Sequence, residues 1–128
     1  MQTPKEMTAK GDQLSQRLLD FVVAIIKIAD VLPNTAAGRH VGGQRVSSGT
    51  SSGSNYEEAR GAESRADIIH KMAVVLKELK ETRFWLRVIH RTEMLASERV
   101  KPILDECEQR CAIAGKSVFI AKRNKRPK

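Results

Sequence analysis

Aromatic residues are scarce: one Trp, one Tyr and three Phe make up 4% of 128 residues, so the core must be mainly aliphatic. Only two cysteines are present, Cys107 and Cys111. With no CxxC pair and no His cluster beside them, the pattern argues against a zinc site. On a helix their four-residue spacing puts both on one face, where they fill core or interface space. Long hydrophobic runs are missing too. The most apolar stretch, LLDFVVAIIKIADVL, contains Asp20, Lys27 and Asp30 and falls short of a membrane span. Nothing at the N-terminus reads as a signal peptide, so the expectation is a cytoplasmic protein with no membrane partner.

Acid is in short supply. Lys and Arg number 23 against 15 Asp and Glu, for a formal charge of +8, which suits a polyanionic partner and says nothing of fold. Lys122, Arg123, Lys125, Arg126 and Lys128 carry five of those charges, leaving +3 on residues 1–121. A chain of this length makes one domain with a core of its own. The expected layout is a flexible N-terminus over 1–11, a helical body over 12–122 and a basic tail over 123–128.

From Asp12 the apolar residues Leu14, Leu18, Phe21, Val22, Ile25, Ile28, Ala29 and Leu32 recur every three or four positions, predicting a helix that Pro33 stops. Val23 and Ile26 widen its stripe, so this helix is expected to be contacted on more than one side. Ser64 followed by Asp67 caps a second clear helix, reaching about Met94, with Ile68, Met72, Val75, Leu79, Phe84, Leu86 and Ile89 as its apolar surface. The last helix is expected over Ser97 to about Lys122. Pro102 should distort its first turn or delay its start.

The stretch between these elements, GRHVGGQRVSSGTSSG over 38–53, has the composition of a loop. Yet Thr35 can cap a helix, and Gly38, Gly42, Gly49 and Gly53 recur where small side chains let a neighbouring helix come close. A structureless connection of nearly thirty residues inside a compact domain is rare. The segment is therefore read as a helix. With short links at Pro33/Asn34, Gly61–Glu63 and Ala96/Ser97, the predicted fold is all-α, an antiparallel up-down-up-down four-helix bundle.

The pattern from Phe21 to Leu86, above all RVSSGTSSGSNYEEA followed by ADIIHKMAVVLKELKET, resembles the four-helix-bundle family encoded by intervening sequences in bacterial 23S ribosomal RNA genes, historically called S23 ribosomal proteins. That family is similar in fold to the accessory variability proteins of diversity-generating retroelements, basic pentamers that engage nucleic acid and a reverse transcriptase. The resemblance implies that 35–60 is helical and that the chain forms a homopentamer around a central channel.

Catalytic and metal chemistry find little support. His40, His70 and His90 lie on three separate segments; the pairs Asp67/His70 and His90/Glu93 share helix faces but do not complete a bundle metal array. AGKS at 114–117 lacks the glycine a phosphate loop requires five residues before Gly115, where Arg110 stands. No nucleophile, base and oxyanion donor can be assembled. The expectation is a non-enzymatic protein without cofactor or metal.

Glu57, Glu58, Arg60 and Arg65 are expected to fix the junction between helices two and three by charge pairing. Arg39 and Arg45 project from a segment with few bulky neighbours and would line a channel if the bundle closes into a ring. Arg83, Arg87 and Arg91 recur at four-residue spacing and advance about 6 Å per step, suited to successive phosphate contacts. Packing of their aliphatic stems over a subunit interface suits them equally. With Lys122, Arg123, Lys125, Arg126 and Lys128 these are the candidate nucleic-acid-binding residues. The leading expectation is a homo-oligomer that binds RNA or DNA by charge. The alternative is a structural adaptor for another protein, such as a reverse transcriptase or an RNA-processing factor.

Overall fold

A computed structural model describes the backbone of residues 4–61 and 64–125, and within it the side chains of 13–43, 51–61, 64, 66–120 and 122–123. The described residues are helical, with no strand among them: α1 (Pro4–Asp30), α2 (Ala36–Arg60), α3 (Arg65–Arg91) and α4 (Ser97–Lys125).

The first helix starts at Pro4, eight residues before the apolar pattern does. Proline is suited to a first helical position, because its fixed φ matches the helix and its missing amide would be unpaired there anyway. The good helix formers of KEMTAK then carry the backbone to Asp12 without help from any apolar stripe.

The Gly/Ser-rich segment is helical. Thr35 caps α2 in extended backbone, its Oγ1 accepting from the Gly38 amide at 3.0 Å. Gly38 has no alternative: a Cβ there would stand 2.0 Å from the Pro33 carbonyl oxygen. Further along, a Cβ at Gly53 would meet Val22 Cγ2 at 3.1 Å, so α1 and α2 approach closely where α2 lacks bulk. Val41, Ser52, Tyr56 and Ala59 are buried on its inner face.

Ser64 caps α3, accepting from the Asp67 amide at 3.1 Å. The helix ends at Arg91, three residues short of expectation, for a visible reason. Glu93 takes a left-handed φ of 57°, the Glu93 amide donates to His90 O and the Met94 amide to Ile89 O. This paired closure satisfies the last carbonyls and usually employs glycine at the turn position.

The α4 helix starts at Ser97 and runs without interruption through Pro102, so the expected delay is absent. Pro102 lies in the second turn, where the only carbonyl it leaves unpaired in the ladder is that of exposed Glu98, which water can satisfy.

Contacting residues climb on one helix as they fall on the next. Ser15 and Val22 of α1, with Leu32 just beyond its end, meet Arg60, Gly53 and Gly42 of α2. His40 and Glu58 of α2 meet Trp85 and Lys71 of α3, and Leu79 and His90 of α3 meet Cys107 and Ser97 of α4. The seam between α1 and α4 is the thinnest. Ile25, Leu79, Leu86 and Ile89 are fully buried at the centre, each stabilising the fold by about 2 kcal/mol through removal from water.

Candidate nucleic-acid interface

The arginines of α3 sit on ordered helix and on one flank. Arg83 is half-buried and close enough to Cys107 and Cys111 of α4 to act electrostatically on both, while Arg87 and Arg91, one and two turns on, are exposed. Arg83 is thus the partly enclosed member, on the side of α3 toward α4, and the other two present exposed guanidinium groups.

The remaining candidates are scattered. Arg39 is exposed at the start of α2 and donates to Asn34 Oδ1 at 2.9 Å, bracing the α1–α2 link. It shares an end of the molecule with Arg91. Lys122 and Arg123 are exposed near the end of α4, some 26 residues or about 39 Å of helix from Ser97. Lys122 and Arg123 therefore lie at the opposite end from the arginine row. The Arg45 and Lys125 side chains, with Arg126 and Lys128 entirely, lie outside the described residues.

Two features escaped the sequence pattern. Phe84, expected to supply apolar surface, is 58% exposed, with Lys80 one turn before it and Arg87 one turn after. Arg110, noted in the sequence only as standing where a phosphate loop needs glycine, is buried at 3% exposure. Glu106 holds it from one turn back, Nε to Oε1 at 3.5 Å, and also accepts from Arg17 Nη2 of α1 at 3.1 Å. The Arg110 Nε makes no hydrogen bond, and burial lowers the pKa of this guanidinium against the opposing pull of Glu106. The i,i+4 spacing of Glu106 and Arg110 was the available signal.

The junction between α2 and α3 is braced by Lys71 Nζ on Glu58 Oε2 at 3.4 Å, while Arg60 Nη1 reaches across to Ser15 Oγ at 2.6 Å. Tyr56 turns inward. Trp85 is half-buried, edge-on to His40 with centroids 6.0 Å apart. His90 pairs with Ser97 at 3.2 Å. Cys107 and Cys111 are buried and free, and Cys107 Sγ donates to Leu79 O at 3.4 Å. The neighbouring Cys111 thiol and burial raise the Cys107 pKa, while Cys107 and the Arg83 charge lower that of Cys111. AGKS lies within α4, where Gly115 faces Leu76. Among the described residues no three His, Cys, Asp or Glu side chains converge, and no helix is long and apolar enough to cross a membrane.

The model of the 23S rRNA-intervening sequence protein family matches residues 12–116, which takes in all of α2 and α3. The chain belongs to that family. A crystal structure with the same architecture is that of a protein of unknown function from the S23 ribosomal protein family of Bacteroides thetaiotaomicron. It is 32% identical, with 86% of this chain and 98% of that one covered and a TM-score of 0.78. No curated protein matches. For an intervening-sequence protein, then, the glycine-lined contact of α2 with α1 is part of the matched family region.

Proposed function

We propose that this intervening-sequence protein is a non-enzymatic, antiparallel up-down-up-down four-helix bundle that assembles as a homo-oligomer and binds RNA or DNA through positive charge. The opposed order of contacts between successive helices supports the topology. The observation that carries the nucleic-acid reading is the Arg83, Arg87, Arg91 row, with two exposed guanidinium groups on a helix whose inner side is locked into the core. Such a row delivers phosphate contacts together and carries no base specificity of its own.

Assembly draws support from a different face. Leu19, Val23 and Ile26 stand 55%, 42% and 41% exposed along α1, beside a groove of about 400 Å³ floored by Val22 and Gly53. An apolar stripe next to a groove is a protein-contact surface. A second copy is the occupant we assign it, and the homopentamer is the number implied by the family resemblance. The adaptor reading gives the same stripe to a different protein, such as a reverse transcriptase.

Light scattering after gel filtration, followed by titration of an RNA oligomer at two ionic strengths, tests both parts. The expected result is a mass several times that of one chain and binding that weakens steeply with salt. Tight binding that survives high salt contradicts the electrostatic mode. Deleting residues 122–128 separates the readings: loss of RNA affinity with the oligomer intact favours nucleic acid, whereas unchanged function with a protein partner favours the adaptor.

A further inference from the structure

Phe84 is held in the open by what lies behind it. Its ring makes an edge contact with Trp85, centroids 5.1 Å apart and planes at 80°, and Trp85 packs on the core and against His40. Among the described residues the phenyl ring stays more than half exposed and so forgoes much of the roughly 2 kcal/mol its burial would contribute.

Its neighbours along the helix are cations. Lys77 and Lys80 precede it by seven and four residues, and Arg87 and Arg91 follow by three and seven. Those intervals keep all five side chains on one face, and all five are exposed. One acid borders the row: Glu81, three residues before Phe84 and four after Lys77, lies on the side toward Trp85. The four charges extend over about 21 Å, with an interval of about 10 Å between Lys80 and Arg87 that is centred on the ring.

We propose that Phe84 is a stacking platform for an unpaired base, with the flanking lysines and arginines on the neighbouring phosphates, so that the outer face of α3 takes single-stranded nucleic acid in preference to duplex. This rests on the nucleic-acid reading above and adds the strand state and the residue that senses it. In a duplex the base faces are stacked on one another, and a ring on a helix surface meets only backbone. In a single strand they are available, and stacking on an aromatic side chain adds to the charge attraction without reading sequence. A ring already fixed by Trp85 loses little freedom on binding.

The test uses the full chain with fluorescein-labelled dodecauridylate and the same strand paired with dodecaadenylate, followed by anisotropy at one moderate salt concentration. The wild type should bind the single strand more tightly. Phe84→Ala should weaken that binding about tenfold and leave duplex binding unchanged, while Phe84→Tyr retains the single-strand preference. The emission of Trp85, the chain's single tryptophan, should fall with dodecauridylate in the wild type and much less in Phe84→Ala. Equal loss on both ligands, or no loss on either, overturns the proposal. So does a drop in molar mass for Phe84→Ala by light scattering, which would make Phe84 a subunit or protein contact. Equal, salt-sensitive binding of both strands removes only the stacking proposal; no binding of either removes the nucleic-acid reading with it.

Discussion

Glu93 closes α3 in a conformation that glycine adopts freely and glutamate does not. Glu93→Gly should raise stability by about 1 kcal/mol, read as a shift of the urea midpoint without change of slope. No shift would show that the turn carries no strain. Two glycines at the start of α2 give opposite expectations from one substitution. At Gly43 a Cβ would meet nothing within 4 Å, so Gly43→Ala should stabilise by about 0.5–1 kcal/mol through helix propensity. At Gly38 the same methyl would be driven onto the Pro33 carbonyl, and Gly38→Ala should destabilise by more than about 1 kcal/mol. If both substitutions moved the thermal midpoint the same way, the close turn between α1 and α2 would be wrong.

At the scale of the helices, the α1–α4 seam depends on Arg17, Glu106 and Arg110 because little else crosses it. Glu106→Ala leaves Arg110 buried without its carboxylate and should cost about 2–3 kcal/mol, below the usual range for a broken buried pair because Glu106 keeps 27% of its side-chain exposure. Arg110→Met replaces the charge by an apolar chain of similar length among Leu14, Leu18 and Ile113 and should cost far less, or stabilise. Equal losses in denaturant melts would show that Arg110 is held by something other than Glu106. These two residues also mark where sequence reading stops. A charged residue reads as solvated unless its partner is known, and the partner from α1 is nearly ninety positions away. The helicity of α2 was legible, because Thr35 offered a cap and a loop of that length inside a domain is improbable. The start of α1 at Pro4 was not, since residues 5–11 carry no apolar period. Phe84 was misplaced for the opposite reason: within FWL, three apolar neighbours share a run but point to different sides of the helix. The four-residue spacing of Arg83, Arg87 and Arg91 was plain, and their differing exposure needed α4 in place.

For the whole molecule, the apolar stripe assigned to assembly and the cationic row lie on different helices. The exposed apolar stripe lies along α1 beside α2, while the cationic row lies on the outside of α3, so self-association through the first leaves the second open to a polyanion. Leu19→Glu with Ile26→Glu should therefore lower the mass seen by light scattering, with the helix content seen by circular dichroism retained. A mass unchanged by both acids would remove the stripe from the interface. Lys122 and Arg123 are remote from the row, and deleting residues 122–128 should lower RNA affinity without abolishing the contribution of α3.

The claim on which the functional account rests is that Arg87 and Arg91 meet phosphates, and the slope of log affinity against log salt measures this directly. Each phosphate contact on a single strand contributes about 0.7 to that slope, so Arg87→Gln with Arg91→Gln should reduce it by roughly 1.4 relative to the wild type. A double variant that binds RNA with the wild-type slope would place the phosphate contacts elsewhere and contradict the assignment.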